Sequence, residues 1–368
     1  MARVKLGDVA REYKATCGDQ KEGLRVVGLE HLIPQQIILT LWDEGKENTF
    51  TKMFKKGQVL FGRRRAYLKK AAVAPFDGIC SGDITVIEAI PGKILPELLP
   101  FIIQNDTLFD FAVERSAGSL SPRVKWEHLK NFEFELPELD RQKELADILW
   151  ASERAKTAYR ELISNTDELV KSQFIEMFGD PIANPKGWNT KPLSQVAPEK
   201  SATPLTQDSV WLLNLDMIES NTGNIISKVV VPQSEIGSST YPFDSSMVLY
   251  SKLRPYLNKV VVPEESGYAT TELVGFTPDS TLLNKYFLAY LLRSNEFVAY
   301  TVALSGGTRM PRTPMTELRK FACILPPIEM QERFVSLTEQ FDKSKFAAKQ
   351  ALENLERTQK SLMNRYLG

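Results

Sequence analysis

Apolar residues follow the same order of patterns twice along the chain. Each half opens with an irregular segment and continues with short apolar runs that predict strands. These runs are Val59–Phe61, Ala71–Ala74 and Ile84–Ile87 in the first half, and Val248–Tyr250, Val260–Val262 and Leu273–Phe276 in the second. Helical spacing follows over Leu95–Gln104 and Leu108–Arg115, and over Lys285–Arg293 and Phe297–Leu304. The order predicts a mixed α+β module that is used twice.

A long run without internal proline or glycine closes each half, from about Asp140 to Phe178 and from Glu329 to Leu367. A helix of roughly 38 residues is about 57 Å long. Side chains spaced three and four apart predict a heptad-like seam along each helix. The predicted packing residues are Leu145, Ile148, Tyr159, Leu162, Leu169, Phe334, Leu337, Phe341, Ala348, Leu355 and Leu362. A pseudo-twofold between the halves would make the helices an antiparallel coiled coil that joins two similar domains.

The two halves match at one constant offset. Tyr67 in LFGRRRAYLKKAAV corresponds to Tyr256 in LYSKLRPYLNKVVV, 189 residues later. The loops AGSLSPR and GGTRMPR keep the same offset, as do the segments LPELDRQ and LPPIEMQ. We therefore predict a first domain over residues 1–138, a first spacer helix over 139–179, a second domain over 180–327 and a second spacer helix over 328–368.

Basic residues surround the repeated tyrosine, although the chain as a whole has 46 Lys and Arg against 46 Asp and Glu. A single basic run is more often a solvated surface than a nucleic-acid site. The recurrence of Arg-x-Tyr-Leu-x-Lys in the second half favours nucleic-acid contact, with cations on phosphates and base edges. The candidate residues of the two runs are Arg63, Arg64, Arg65, Tyr67, Lys69, Lys70, Lys252, Arg254, Tyr256 and Lys259.

Several kinds of catalytic site have no signature in the sequence. Neither a GxxxxGK[ST] phosphate loop nor a GxGxxG motif occurs. The two histidines, His31 and His128, lie in unrelated contexts, and the 3 cysteines are far apart, so we expect no metal site. The first residues, MARVKLGDVA, lack the apolar core of a signal peptide, and we expect a cytoplasmic protein.

The duplicated motifs, in their order, resemble the DNA-specificity subunit of Type I restriction-modification enzymes. The segments that carry the resemblance are ELPELDRQKELADIL, ILPPIEMQERFVSL, SGGTRMPR and KSQFIEMFGDP. The resemblance covers essentially the whole chain. It implies two target-recognition domains, each of which recognises one half of a split DNA target, and two helices that set the gap between the halves.

The resemblance also implies a chain without catalytic activity or bound cofactor. Its partners would be double-stranded DNA, two methyltransferase subunits and, in some complexes, restriction subunits. The partner subunits would use S-adenosylmethionine, Mg²⁺ and ATP, and the methyltransferase subunits would methylate adenine. The Gly/Ser-Pro loops would add DNA contacts from Ser119, Arg123, Thr308, Arg309 and Arg312. Two alternatives stay open: a DNA methyltransferase or nuclease with unrecognised motifs, and a coiled-coil scaffold that only joins proteins.

The predicted spacer helices generate a first testable prediction. Inserting four residues at Arg160 lengthens the first helix by about 6 Å and rotates its C-terminal half by about 40° beyond a full turn. That translation is close to two base pairs at ~3.4 Å each. We expect the assembled enzyme to keep both half-site sequences and to recognise a target with a longer gap, which mapping of methylated adenines would reveal. An active variant with an unchanged gap would contradict the spacer role.

Overall fold

The computed structural model describes residues 2–18, 23–45, 48–306 and 309–368. The chain divides into two compact units. Unit 1 comprises Met1–Leu162 and Ala348–Gly368, and unit 2 comprises Ile163–Ala347. Each unit therefore contains one domain together with part of both long helices. Within the described part of the chain, none of the helices is long and apolar enough to cross a membrane.

Among its described residues, unit 1 contains ten strands and four short α-helices ahead of the first long helix. The strands are β1 (Ala2–Lys5), β2 (Ala10–Glu12), β3 (Arg25–Val27), β4 (Asp43–Glu44), β5 (Lys52–Phe54), β6 (Val59–Gly62), β7 (Ala71–Val73), β8 (Gly78–Cys80), β9 (Ile84–Ala89) and β10 (Glu133–Leu136). The helices are α1 (Leu6–Val9), α2 (Leu99–Ile103), α3 (Asp106–Glu114), α4 (Trp126–Leu129) and the long α5 (Leu139–Phe178).

The described strands of unit 1 form three sheets. One four-stranded sheet has the order β2-β9-β6-β7 and another has the order β4-β3-β8-β5, while β1 pairs with β10. Strands β3 and β8 are parallel, and the other neighbours are antiparallel. The β1–β10 pair ties the beginning of the domain to the strand that leads into α5, with Ala2 opposite Leu136.

Unit 2 repeats most of this order. Its strands are β11 (Thr190–Pro192), β12 (Ser209–Leu213), β13 (Val229–Pro232), β14 (Thr240–Phe243), β15 (Val248–Ser251), β16 (Val260–Val261), β17 (Gly267–Thr270), β18 (Leu273–Phe276) and β19 (Ala322–Ile324). The helices are α6 (Leu193–Val196), α7 (Lys285–Arg293), α8 (Asn295–Leu304), α9 (Met315–Leu318) and the long α10 (Ile328–Leu367).

The sheets of unit 2 correspond to those of unit 1. The order β13-β12-β17-β14 matches β4-β3-β8-β5, including the parallel central pair β12–β17. The order β16-β15-β18 matches three strands of the other sheet, and an isolated bridge between Glu199 and Phe276 stands where β2 pairs with β9. The predicted α+β fold with two similar domains and two long helices is confirmed.

The early part of each domain contains more regular structure than the sequence indicated. We expected an irregular segment before Val59, yet β1 to β5, α1 and a 3₁₀ turn over Leu29–His31 lie there, and β11 to β14 occupy the equivalent part of unit 2. These strands have two to five residues each, which is too short for a period-two pattern to be recognised.

A buried glutamine explains the LPxxxxQ motif at the start of each long helix. Gln142 donates its Nε2 to the carbonyl oxygen of Pro137 at 2.8 Å, and its Oε1 accepts the backbone N–H of Leu95 at 2.8 Å. Gln331 repeats both bonds, to Pro326 at 2.8 Å and from Asn284 at 2.9 Å. Each glutamine therefore joins the first turn of a long helix to the segment that leads into α2 or α7.

Within each unit, segments of the two long helices pack antiparallel. In unit 2, Phe174 of α5 lies edge-on to Phe334 of α10, with ring centroids 5.5 Å apart, and Lys345 pairs with Asp167. In unit 1, Arg160 pairs with Glu356 at 2.7 Å. The later residue on α5 meets the earlier residue on α10, as an antiparallel arrangement requires.

The buried face of α5 differs from the predicted seam by one residue. Ile148, Leu162 and Leu169 are exposed, so their assignment as packing residues was wrong. Leu149 and Val170, one position further along, are buried instead. One residue corresponds to a rotation of about 100° around the helix. Of the other predicted packing residues, Leu145, Phe334 and Ala348 are buried, while Tyr159, Leu337, Phe341, Leu355 and Leu362 are partly buried.

A buried polar cluster accounts for the shifted seam. Glu153 and Lys156 form an ion pair of 2.6 Å with side-chain exposures of 3% and 5%. Gln359 of α10 accepts a hydrogen bond from Lys156 and donates one to Glu153 at 3.2 Å. A heptad pattern places apolar residues in the interface between helices and charged residues outside it. The sequence pattern therefore favoured the neighbouring face of α5. Because these bonds form in only one register, we infer that the cluster fixes the pairing of the helices in unit 1.

The cluster generates a stability prediction. Lys156→Met leaves Glu153 buried without its cation, which costs about 3–5 kcal/mol in comparable buried pairs. We expect urea unfolding of the full chain to show a loss of that size. The matched control is Lys171→Met, because the Lys171–Glu168 pair has the same helical spacing but is exposed, and exposed pairs contribute roughly 0–1 kcal/mol. Equal losses for the two variants would contradict the role of the cluster.

Candidate nucleic-acid interface

A tight turn after β6 brings the first basic run to the surface of unit 1. Arg65 has a left-handed backbone conformation, with φ 54° and ψ 57°. A single 3₁₀ turn, Ala66–Leu68, follows, and Lys69 is left-handed again, with φ 50° and ψ 46°. The backbone N–H of Leu68 donates to the carbonyl of Arg65 at 2.9 Å, which closes the turn.

Unit 2 has the same turn after β15. Arg254 is left-handed (φ 50°, ψ 64°), the 3₁₀ turn Pro255–Leu257 follows, and Asn258 is left-handed (φ 48°, ψ 57°). A left-handed conformation costs an L-residue other than glycine roughly 1–2 kcal/mol. Such strain concentrates at functional sites. The same two strained positions in both domains therefore mark this turn, rather than the whole basic run, as the candidate site.

The Gly/Ser-Pro loop is fastened to this turn by backbone hydrogen bonds. In unit 1, Arg65 N–H donates to the carbonyl of Pro122 at 2.8 Å, and Val124 N–H donates to that of Arg63 at 2.9 Å. The structure thus brings together two segments that are about 57 residues apart in the sequence. The basic run and the loop form one surface.

The equivalent bonds hold the loop of unit 2. Arg254 N–H donates to the carbonyl of Pro311 at 2.7 Å, and Thr313 N–H donates to that of Lys252 at 2.8 Å. Because both bonds recur at the constant offset, the arrangement is a property of the module and does not depend on the divergent loop sequences.

An acidic residue lies beside the loop arginine in each unit. Asp83, just before β9, accepts from Arg123 Nε at 2.7 Å and from Nη2 at 3.4 Å. Glu272, just before β18, accepts from Arg312 Nη2 at 2.9 Å and from Nε at 3.2 Å. The hydrogen bond from the arginine lowers the pKa of each carboxyl and raises the pKa of each guanidinium. Sequence patterns did not single out either acid, although their spacing is also 189 residues.

Six of the candidate side chains are exposed around the two turns: Arg65, Tyr67, Arg123, Arg254, Tyr256 and Arg312. Ser119 and Arg309, at the loop tips, are exposed as well. Arg63, Arg64 and Lys252 are partly buried, and Arg64 donates to Ser121 Oγ and pairs with Asp83 at 3.4 Å. Thr308 lies outside the described residues. The exposed set has an arginine-tyrosine-arginine composition in both units.

Three predicted lysines are occupied by contacts within the protein. Lys70 Nζ donates to the carbonyl of Leu29 at 2.8 Å, and Lys259 Nζ donates to that of Leu215 at 2.7 Å. Lys69 pairs with Asp106, the first residue of α3. Burial would raise the pKa of Asp106, but hydrogen bonds from Lys360 and Lys69 lower it on balance. The lysine of the repeated Arg-x-Tyr-Leu-x-Lys pattern, Lys70 or Lys259, therefore anchors the turn to the early part of its own domain.

The described residues include one cluster of potential metal ligands, formed by Glu30, His31 and Asp43. The backbone N–H of Gly28 donates to His31 Nδ1 at 2.9 Å, and Nε2 lies 3.6 Å from an oxygen of Asp43. Nδ1 therefore has a hydrogen-bond partner in the protein, and the histidine supports the turn before Leu32.

Comparison with known sequences finds the same division into halves. A family model described as the Type I restriction modification DNA specificity domain matches residues 4–165 and 185–357. The specificity subunit of the Type I restriction enzyme MjaIX from Methanocaldococcus jannaschii is 23% identical over 279 residues, or 67% of this chain and 62% of that protein. The EcoDI specificity subunit from Escherichia coli is 26% identical over 158 residues, or 42% of this chain and 35% of that protein. The matched regions thus span less than two thirds of these relatives.

Two solved structures share the fold at low sequence identity. The S subunit of a Type I restriction-modification system from M. genitalium has a TM-score of 0.62 and 11% identity, over 100% of this chain and 96% of that chain. A chain from a study of complex assembly and conformational transition in a Type I restriction-modification system has a TM-score of 0.60 and 19% identity, over 99% and 97%.

The strained turn generates a prediction that needs no DNA. Because glycine adopts left-handed angles without a Cβ penalty, we expect Arg65→Gly to be more stable than Arg65→Ala by about 1 kcal/mol. Arg63, which has no left-handed backbone, is the control, and there we expect glycine to be the less stable variant by about 0.5–1 kcal/mol. Urea unfolding of the four full-length variants measures both differences. The same sign at both positions would contradict the strained geometry.

Proposed function

Since this chain belongs to the family of Type I restriction modification DNA specificity domains, we propose that it is the DNA-recognition subunit of a Type I restriction-modification enzyme. In this proposal, each domain recognises one half of a bipartite DNA target. The observation that carries it is the duplicated turn, in which a strained arginine, an exposed tyrosine and a second arginine form one surface in each unit.

The chemistry of the turn suits duplex DNA. Arginine presents several N–H donors in a planar fork that matches phosphate oxygens and the O6 and N7 atoms of guanine. The tyrosine ring provides an apolar face, and its hydroxyl can donate or accept a hydrogen bond. Contacts to phosphates position a protein on DNA, and contacts to base edges select the sequence. The turn offers both kinds of contact from a backbone that is hydrogen-bonded to the neighbouring loop.

We assign methyl transfer and DNA cleavage to partner subunits. Two methyltransferase subunits would bind S-adenosylmethionine and methylate adenine, and restriction subunits would use ATP and Mg²⁺. The helices α5 and α10 would be the surface on which these partners assemble. The balance of 46 basic and 46 acidic residues agrees with this division, because partners can supply much of the phosphate contact. The complex would work in the cytoplasm, where the chromosome lies.

The proposal predicts the effect of truncating the two turn arginines. Arg65→Ala and Arg254→Ala should each weaken binding of the assembled enzyme to its cognate DNA by about 1–3 kcal/mol if a base edge is contacted. Fluorescence titration of a cognate duplex over a range of salt concentrations measures the loss and separates phosphate contacts from base contacts.

Lys55→Ala is the matched control for this measurement. Lys55 is a basic residue shortly before β6 in the same domain, but its amine pairs with Asp77 at 3.3 Å, outside the turn. We expect its effect to be much smaller than that of Arg65→Ala. Wild-type affinity in both arginine variants, at every salt concentration, would make the turn an ordinary solvated surface and would remove the basis of the proposal.

A further inference from the structure

We propose that Asp83 and Glu272 are positioning residues for DNA recognition, which hold the loop arginines Arg123 and Arg312 in one orientation beside the strained turns. This inference rests on the function proposed above and adds a role for two acidic residues on a surface that faces DNA.

Each acid connects three segments of its domain. The carbonyl oxygen of Asp83 accepts the backbone N–H of Arg63 at 3.0 Å, while its carboxylate accepts from Arg123 and lies 3.4 Å from Arg64 Nη1. The residue itself is fixed because Ile84, its neighbour, pairs with Gly62 at the end of β6. Asp83 therefore sets the position of the turn, the loop and the strand end together.

Glu272 makes the corresponding connections in unit 2. Its carbonyl oxygen accepts the backbone N–H of Lys252 at 3.1 Å, and its carboxylate accepts from Arg312. Leu273, the next residue, pairs with Ser251 at the end of β15. Aspartate in one copy and glutamate in the other differ in length, so the shared feature is a carboxylate at this place.

Both carboxylates bind the same edge of their arginine. Arg123 and Arg312 each use Nε and Nη2. A guanidinium has five N–H donors in a plane, so the Nη1 edge stays available to an external acceptor. Fixing one edge in the protein orients the other and removes rotamer freedom before DNA binds, which favours specific over non-specific contact.

Stability alone does not explain the pairs. The side-chain exposures are 18% for Asp83 and 45% for Arg123, and 26% for Glu272 and 48% for Arg312. Ion pairs with one partner half-exposed contribute little to folding, with a median of roughly 0–1 kcal/mol. A negative charge on this surface also repels phosphate. Its presence in both domains is therefore better explained by the orientation that it imposes on the arginine.

The first part of the test uses the full chain without DNA. We expect Asp83→Asn to increase amide hydrogen exchange about tenfold at Arg65 and in the loop 117–124, because a neutral amide holds the guanidinium less firmly than a carboxylate. Asp83→Glu, which introduces the residue type of the second copy, should restore protection. Asp77→Asn is the control, since Asp77 pairs with Lys55 outside the loop. Unchanged exchange in Asp83→Asn would overturn the inference.

The second part uses the complex with its methyltransferase subunits, a cognate duplex and a scrambled duplex. If Asp83 positions Arg123, Asp83→Asn should lower the ratio of cognate to scrambled affinity about tenfold without weakening scrambled binding, and Glu272→Gln should do the same for the other half-site. An equal rise in both affinities would mean that the acids only compete with phosphate, and would overturn the inference. An unchanged ratio would also overturn it.

The two proposals fail in different ways. A wild-type complex without preference for any duplex would overturn the proposed function. A wild-type complex with a clear preference that Asp83→Asn and Glu272→Gln leave unchanged would overturn only the positioning role.

Discussion

The buried glutamine at the start of each long helix is the constraint on which the rest of the structure depends. Gln142 and Gln331 each bond a proline carbonyl and a backbone N–H from a distant segment. A side-chain amide buried in this way is held in one orientation, because every lost bond would leave a buried polar group unsatisfied. The direction in which each helix leaves its domain is thereby fixed. The helix packing in each unit follows from that direction and, in unit 1, from the polar cluster around Glu153 as well.

A second constraint is the strained turn and its acid. The cost of two left-handed residues in each domain is offset by the backbone hydrogen bonds to the Gly/Ser-Pro loop. The surrounding loop sequences, SAGSLSPR and SGGTRMPR, have diverged, but the bonds that join loop and turn use the backbone and one carboxylate. The module can therefore vary the side chains of the turn and loop while it keeps the position of the backbone.

Much of the architecture could be predicted from the sequence, because each pattern occurs in both halves of the chain. The strands near Val59 and Val248, the helix Lys285–Arg293 and the two long helices follow from periodicity and from the Pro and Gly residues that bound them. The packed face of α5 could not be predicted correctly, because it contains a buried charged pair, and a pattern of apolar residues excludes charged residues. The short strands before β6 are held by pairing with distant strands, which no local pattern reveals.

The candidate site was only partly predictable for a related reason, because the sequence does not show which group in the folded protein a basic side chain contacts. Both Lys69 and Lys70 bind groups in their own domain while Arg65 is exposed. For Asp83 and Glu272, the available signal was their separation of 189 residues, which equals the constant offset between the two halves.

The central claim is that the two turns contact different halves of one DNA target. Site-specific photocrosslinking tests it most directly, with a photoreactive phenylalanine analogue in place of Tyr67 or Tyr256 in the assembled enzyme bound to its cognate duplex. We expect each variant to crosslink to nucleotides of one half-site, and the two variants to mark opposite sides of the gap. Crosslinks from both positions to the same half-site, or from neither position to the target, would contradict the claim.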